Sequence, residues 1–161
     1  MIRQDVQVVS DSGIFLASVL QEPYSRQADA LIKLWNKQHV QVAAPTLFRY
    51  EVIATVRKHV YRGNLTPATA SKVLTNLQSL LTGITFMVDE QLLQRGYELA
   101  EHFNRPTAYD SQYLAVAERR GCDFWTADER LFNAVKQERT WVHWLGSFGS
   151  TSSVEKHEDD G

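Results

Sequence analysis

Five short apolar runs, separated by segments of helical period, leave this chain few folds to choose from. The runs are VQVV (6 to 9), VQVAA (40 to 44), ITFMV (84 to 88), CDFWTA (122 to 127) and TWVHWL (140 to 145). Each has strand length and β-branched or aromatic character. Strands that alternate with helices imply an α/β domain: a central, mainly parallel sheet of about five strands flanked by helices.

The intervening segments support that reading. Ser12 to Leu20 is apolar enough for a buried helix, and Ser25 to Lys37 places Ala28, Leu31, Ile32 and Trp35 at helical spacing. A further helix is expected to start at Pro45 and end near Gly63. In LTPATASKVLTNLQSLLTG, Thr66 is set to cap a helix with Pro67 at its first position, while Ala70, Val73, Leu74, Leu77, Leu80 and Leu81 share a face. Helices from about Asp89 to His102, Thr107 to Arg120 and Asp128 to Gln137 complete the alternation.

At 161 residues the chain can bury a sufficient core without disulfides or a structural metal. There is no internal repeat and no linker between two cores. Residues 1 to 145 are expected to form one domain. Residues 146 to 161, GSFGSTSSVEKHEDDG, have little to bury and are expected to be a mobile tail. No apolar run approaches the ~20 residues of a membrane span. The beginning MIRQDVQVVSD does not resemble a secretory signal, so the expected location is the cytoplasm. The single cysteine, Cys122, opens an apolar run and reads as a small buried residue.

The net charge of −2 argues weakly against nucleic-acid binding. Lysine and arginine nevertheless cluster around Arg49, Arg57, Lys58 and Arg62, while EKHEDDG holds many of the acids. The plain alternative for the basic cluster is a solvated, salt-bridged helical surface.

Asp11, Asp110 and Asp128 each have a simple local explanation. Asp11 and Asp128 can cap the helices that follow them, and Thr107 with Asp110 has the spacing of a capping-box variant. Glu51 differs, because it lies inside a helix near the edge of its apolar surface. As a set, these four acids fall largely where strands give way to helices, the rim at which open α/β sheets bind ligands. Two carboxylates ~4 Å apart repel by on the order of 4 kcal/mol at an effective dielectric near 20, and a divalent cation removes that cost. Mg²⁺ and Mn²⁺ prefer such hard oxygen donors, and phosphodiester hydrolysis is their natural reaction in an open acidic site.

Other chemistries lack their residues. The five histidines show no paired metal-binding spacing, and one cysteine cannot build a thiolate zinc site. A Walker loop, a dinucleotide-binding turn and a nucleophile elbow are all missing. Trp125, Trp141 and Trp144 lie on expected strands and suit packing better than base stacking. Asp89 follows ITFMV and could suggest a receiver-like phosphoacceptor, but the second acid beside Asp11 and the late lysine of such domains are absent.

The ordered set D11-S12, P45-TLFRY-E51 and AYDSQYLAVAERRGCDFWTADERLF resembles a PIN domain of the VapC toxin type over about residues 6 to 145. The resemblance implies a three-layer α/β/α fold and a Mg²⁺- or Mn²⁺-dependent endoribonuclease that uses metal-activated water. It makes Asp11 and Asp110 the principal metal ligands, with Glu51 and Asp128 completing the acidic pocket directly or through bound water. Ser12 and Thr126 would orient carboxylates or waters. It also implies a homodimer and a VapB-like antitoxin whose C-terminal segment covers the groove. Arg49, Arg57 and Lys58 are candidate phosphate contacts on single-stranded or loop RNA. Two alternatives stand beside this reading: a catalytically silent module that binds RNA or protein, and a metal-dependent DNA nuclease.

Overall fold

The computed structural model describes residues 6 to 149, which form five strands, seven α-helices and one short 3₁₀ turn. The strands are β1 (Gln7–Ser10), β2 (Gln41–Pro45), β3 (Ile84–Met87), β4 (Asp123–Thr126) and β5 (Val142–Trp144). The helices are α1 (Ser12–Val19), α2 (Ser25–Lys37), α3 (Leu47–Tyr61), α4 (Pro67–Leu81), α5 (Glu90–His102), α6 (Asp110–Arg120) and α7 (Glu129–Val135). All strand pairings are parallel, in the order β3-β2-β1-β4-β5. The chain therefore runs outward from β1 through β2 and β3, then returns to lay β4 on the other side of β1. That reversal opens a crevice beyond the carboxyl ends of β1 and β4, the topological switch point of the sheet.

Helices cover both sides of a sheet whose central strands are buried throughout most of their length. Right-handed crossovers carry α1 to α4 over one face and α5 to α7 over the other. On one side Phe48 meets Phe15 edge-on at 5.6 Å and lies 5.7 Å from Phe86. On the other, Tyr113 of α6 stacks on Phe124 of β4 at 5.7 Å. Full burial of Phe48 or Phe124 is worth up to about 3 kcal/mol each.

Local rules locate most helix ends. Thr66 accepts a hydrogen bond from the Thr69 amide with Pro67 at the first helical position. Gly121 ends α6 with φ 61°, in the left-handed region that glycine enters without steric cost.

Three expectations are corrected. Pro45 ends β2 instead of starting α3; it pairs in register with Met87, and the Thr46 amide donates to the Met87 carbonyl at 3.1 Å. Strand alternation turns the Pro45 nitrogen toward β1, whose register with β2 stops at Ala43, so no ladder bond is lost. Helix α6 begins at Asp110, with Tyr109 as its cap residue, so the Thr107 capping box does not form. Residues 146 to 149 are structured: Leu145–Ser147 make a 3₁₀ turn and Phe148 packs edge-on against Trp125 at 5.8 Å. The rest of the expected tail, 150 to 161, lies outside the described residues.

The first turn of α1 passes close to the β4–α7 connection. A Cβ on Gly13 would lie 2.9 Å from the Cβ of Ala127 and 3.3 Å from Asp11 Oδ1. Ala127 cannot swing aside as a long side chain could. Gly13→Ala is therefore expected to destabilise the protein by about 1–3 kcal/mol, read as a lower urea midpoint with an unchanged m-value. A gain in stability, as expected of glycine replacement in an uncrowded helix, would contradict this account of the contact.

Candidate active site

Asp11 stands at the switch point, the first residue after β1 and the N-cap of α1. Its Oδ1 accepts from the Ile14 amide at 3.2 Å. Its Oδ2 accepts from Thr126 Oγ1 at 2.6 Å and from the Ala127 amide at 3.0 Å. The Asp11 amide donates to the Trp125 carbonyl at 3.1 Å. Burial outweighs these bonds and, with a contribution from the Glu51 charge, raises the Asp11 pKa to about 7.

Thr126 joins the two acids that flank the switch point. Its hydroxyl donates to Asp11 and accepts from the Asp128 amide at 2.9 Å. Asp128 then caps α7, its Oδ1 accepting from the Arg130 and Leu131 amides at 2.9 and 3.1 Å. Both caps expected from local spacing are formed, so at Asp11 and Asp128 capping coexists with membership of the acidic set.

Glu51 projects from α3, and its Oε1 accepts from Ser12 Oγ at 3.4 Å and from the Tyr113 hydroxyl. Burial raises its pKa, the Asp110 charge adds to the rise, and the Tyr113 and Ser12 bonds oppose it. Asp110 opens α6 and lies 3.6 Å from an Arg105 Nη. Burial raises its pKa and the Asp128 charge adds, against the Arg105 cation. The four acids thus interact as a chain, Asp11 with Glu51, Glu51 with Asp110 and Asp110 with Asp128. Among the described residues, no group of three or more His, Cys, Asp or Glu closes around a single cation position.

Two residues at this site escaped the sequence reading. Tyr113 lies one helical turn beyond Asp110, a spacing that puts both on the same side of α6. Its burial and the Glu51 and Asp11 charges push the phenol pKa far upward, so it serves as a proton-holding donor to Glu51. Arg105 carries no sequence signal beyond its position in the connection before α6. Asp89 is remote in role: it caps α5 through the Leu92 amide at 2.8 Å and pairs with Arg119, which lowers its pKa to about 2. Arg49, Arg57 and Lys58 are exposed on α3, Arg49 over the Phe86 ring and Arg57 over the Tyr61 ring. Cys122 is half-buried, and burial raises its thiol pKa.

A family model described as PIN domain matches residues 8–137. Ribonuclease VapC3 of Pyrobaculum aerophilum is 28% identical over 126 residues, spanning 78% of this chain and 92% of that protein. The crystal structure of PAE2754 from the same organism superposes with a TM-score of 0.64 at 23% identity, covering 89% of this chain and 94% of that one. VapC20 of Mycobacterium tuberculosis, described as a sarcin-ricin loop cleaving toxin, gives 0.56 at 17% identity, covering 79% and 94%. With a parallel five-stranded sheet and acids at its switch point, the chain belongs to the PIN domain family.

Proposed function

We propose that the protein is a Mg²⁺- or Mn²⁺-dependent endoribonuclease and the toxin of a VapBC-like pair, cleaving single-stranded or loop RNA. The observation that carries this reading is the chain of acids at the switch point, of which Asp11, Glu51 and Asp110 are all held above their ordinary range. Clustered carboxylates kept at a cost to stability suit a site that recruits a cation. The donors fit a hard divalent ion in chemistry. Mg²⁺ takes one or two carboxylates and keeps several waters, so a chain of acids suits it without a closed protein cage. When bound, such an ion would lower the pKa of an attacking water and offset charge on the phosphate and leaving oxygen.

Asp11 and Asp110 would hold the ion, with Glu51 and Asp128 completing the acidic surface. Thr126 and Ala127 aim the Asp11 carboxylate, while Ser12 and Tyr113 aim Glu51. Arg49, Arg57 and Lys58 would guide the RNA backbone along α3. For the antitoxin, a groove of about 460 Å³ between α3 and α4, walled by Ile53, Val56, Val60 and Leu74, suits the apolar face of a VapB-like segment. Exposed Tyr50 on α3 and exposed Leu93 and Tyr97 on α5 offer apolar surface for pairing with a second copy. No helix among the described residues is long and apolar enough to cross a membrane.

The deciding experiment uses protein free of antitoxin, incubated with RNA and DNA panels in Mg²⁺, Mn²⁺ or chelator. RNA cleavage that requires metal is expected; cleavage in chelator, or cleavage of DNA alone, defeats the proposal. Asp11→Asn and Asp110→Asn are each expected to lower the cleavage rate by more than about a hundredfold. Their stabilities should differ. Asp110→Asn relieves repulsion while losing one loose ion pair, so the metal-free variant should be at least as stable as the parent. Asp11→Asn places an amide donor against the Thr126 and Ala127 donors, so relief of buried charge is offset and little is gained.

Asp11 also sets a pH dependence. From about pH 4 to its folded pKa of about 7, native Asp11 holds a proton that the unfolded chain has released. Metal-free stability should therefore fall as pH rises through this window, by up to about 4 kcal/mol from Asp11. Glu51 and Asp110 act in the same direction. Urea midpoints in EDTA should drop between pH 5.5 and 8, Mg²⁺ should restore more at pH 8, and Asp11→Asn should flatten the slope. A midpoint in EDTA that does not fall across this range, in the parent as in Asp11→Asn, would mean that folded Asp11 is already ionised at pH 5.5 and would contradict a raised pKa.

A further inference from the structure

The backbone of Arg105 is fixed at the end of α5. Asn104 follows α5 with φ 50°, a left-handed conformation that asparagine tolerates. The Asn104 amide donates to the Glu101 carbonyl at 3.1 Å and the Arg105 amide to the Ala100 carbonyl at 2.7 Å. These two bonds form a Schellman closure of α5, and Pro106 follows at once. Because α5 packs along α6, the closure fixes the Arg105 backbone relative to Asp110 at the head of α6.

The side chain is held in place but poorly satisfied. It is only 19% exposed, and its one ion-pair partner among the described residues is Asp110, at 3.6 Å. That contact is longer than the about 2.7–2.9 Å of a good charge-assisted bond. Arg105 Nε is one of three buried side-chain nitrogen or oxygen atoms without a hydrogen-bond partner among the described residues. A guanidinium has five donors, and burying it with so few acceptors is costly. Such a group is explained when a further acceptor completes it.

The acid site supplies the reason for a cation. Carboxylates that attract a metal also repel the phosphate that must approach it, and Arg105 is the arginine paired directly with the acid set. Its planar fork suits two phosphate oxygens. We propose that Arg105 contacts the phosphate of bound RNA at the acid site, exchanging its loose pairing with Asp110 for bonds to the phosphate oxygens. This extends the nuclease reading above and assigns phosphate binding at the reacting centre to a residue outside the exposed basic row of α3. A residue that merely steadies Asp110 would act on metal binding; Arg105 acts on RNA.

The test compares full-length protein with Arg105→Met, which keeps the apolar stem, and Arg105→Lys, which keeps the charge without the fork. Folding is checked by circular dichroism melts. Three quantities are read: affinity for a fluorescein-labelled 2′-O-methyl single-stranded RNA in Mn²⁺, affinity for Mn²⁺ alone by electron paramagnetic resonance, and single-turnover cleavage of unmodified RNA. Arg105→Met should weaken RNA binding and slow cleavage by roughly ten- to a hundredfold, with Mn²⁺ affinity equal to or tighter than the parent's. Arg105→Lys should recover part of the RNA affinity, and it decides the matter if Arg105→Met does not fold. Unchanged RNA affinity in the folded variants overturns the proposal. So does a parallel loss of Mn²⁺ affinity, which would make Arg105 a support for Asp110. If the parent binds RNA but cleaves none, the nuclease reading fails while the binding comparison still decides the role of Arg105.

Discussion

The half-buried carboxylate of Asp11 is the constraint around which the described structure is organised. One side chain caps α1, accepts the Thr126 hydroxyl from the end of β4, and accepts the Ala127 amide from the connection to α7. It thereby ties the two strands on either side of the switch point to the helices that leave them. Gly13 permits the close approach, since a side chain there would collide with Ala127. Burial nevertheless leaves Asp11 with a pKa of about 7 despite three donors. The geometry is well bonded and the charge is poorly tolerated.

That contrast extends across the site. Asp11, Glu51 and Asp110 each raise or share the cost of a neighbouring charge, and protein groups relieve it only in part. Tyr113 and Ser12 donate to Glu51, and Arg105 pairs only loosely with Asp110, at 3.6 Å. Among these acids, Asp110 is the one whose neutral replacement stability alone would favour, since it would lose only one loose ion pair. Elsewhere the acids are conventionally settled: Asp89 combines a helix cap with a paired arginine and is driven down to about 2. The same residue type is stabilised at one strand end and strained at another, and that difference separates a structural cap from the candidate site.

Much of this could be read from the chain, and the misses have particular causes. Apolar runs and helical spacing located every strand and helix to within a few residues, because those signals are local. Proline is common at a first helical position, whereas Pro45 occupies the last position of β2, beyond the register with β1, where its missing amide costs no ladder bond. Thr107 has the spacing of a capping box, but the turn before α6 delays the helix to Asp110. Phe148 looked like part of a polar tail and instead covers Trp125, a contact set by where β5 ends.

The periodicity of the residues was enough to require a parallel α/β sheet, and the ordered acids with their neighbours were enough to point to the PIN family. Both depend on spacing along the chain, which every conformation shares. Strand order, and with it the meeting of β1 and β4 at the switch point, depends on how the crossovers pack. So does the partnership of Tyr113 with Glu51 across 62 positions and of Thr126 with Asp11 across 115. Burial and charge proximity are properties of the packed chain, so only folding could turn Asp11, Glu51 and Asp110 from ordinary caps and surface acids into a coupled, costly set.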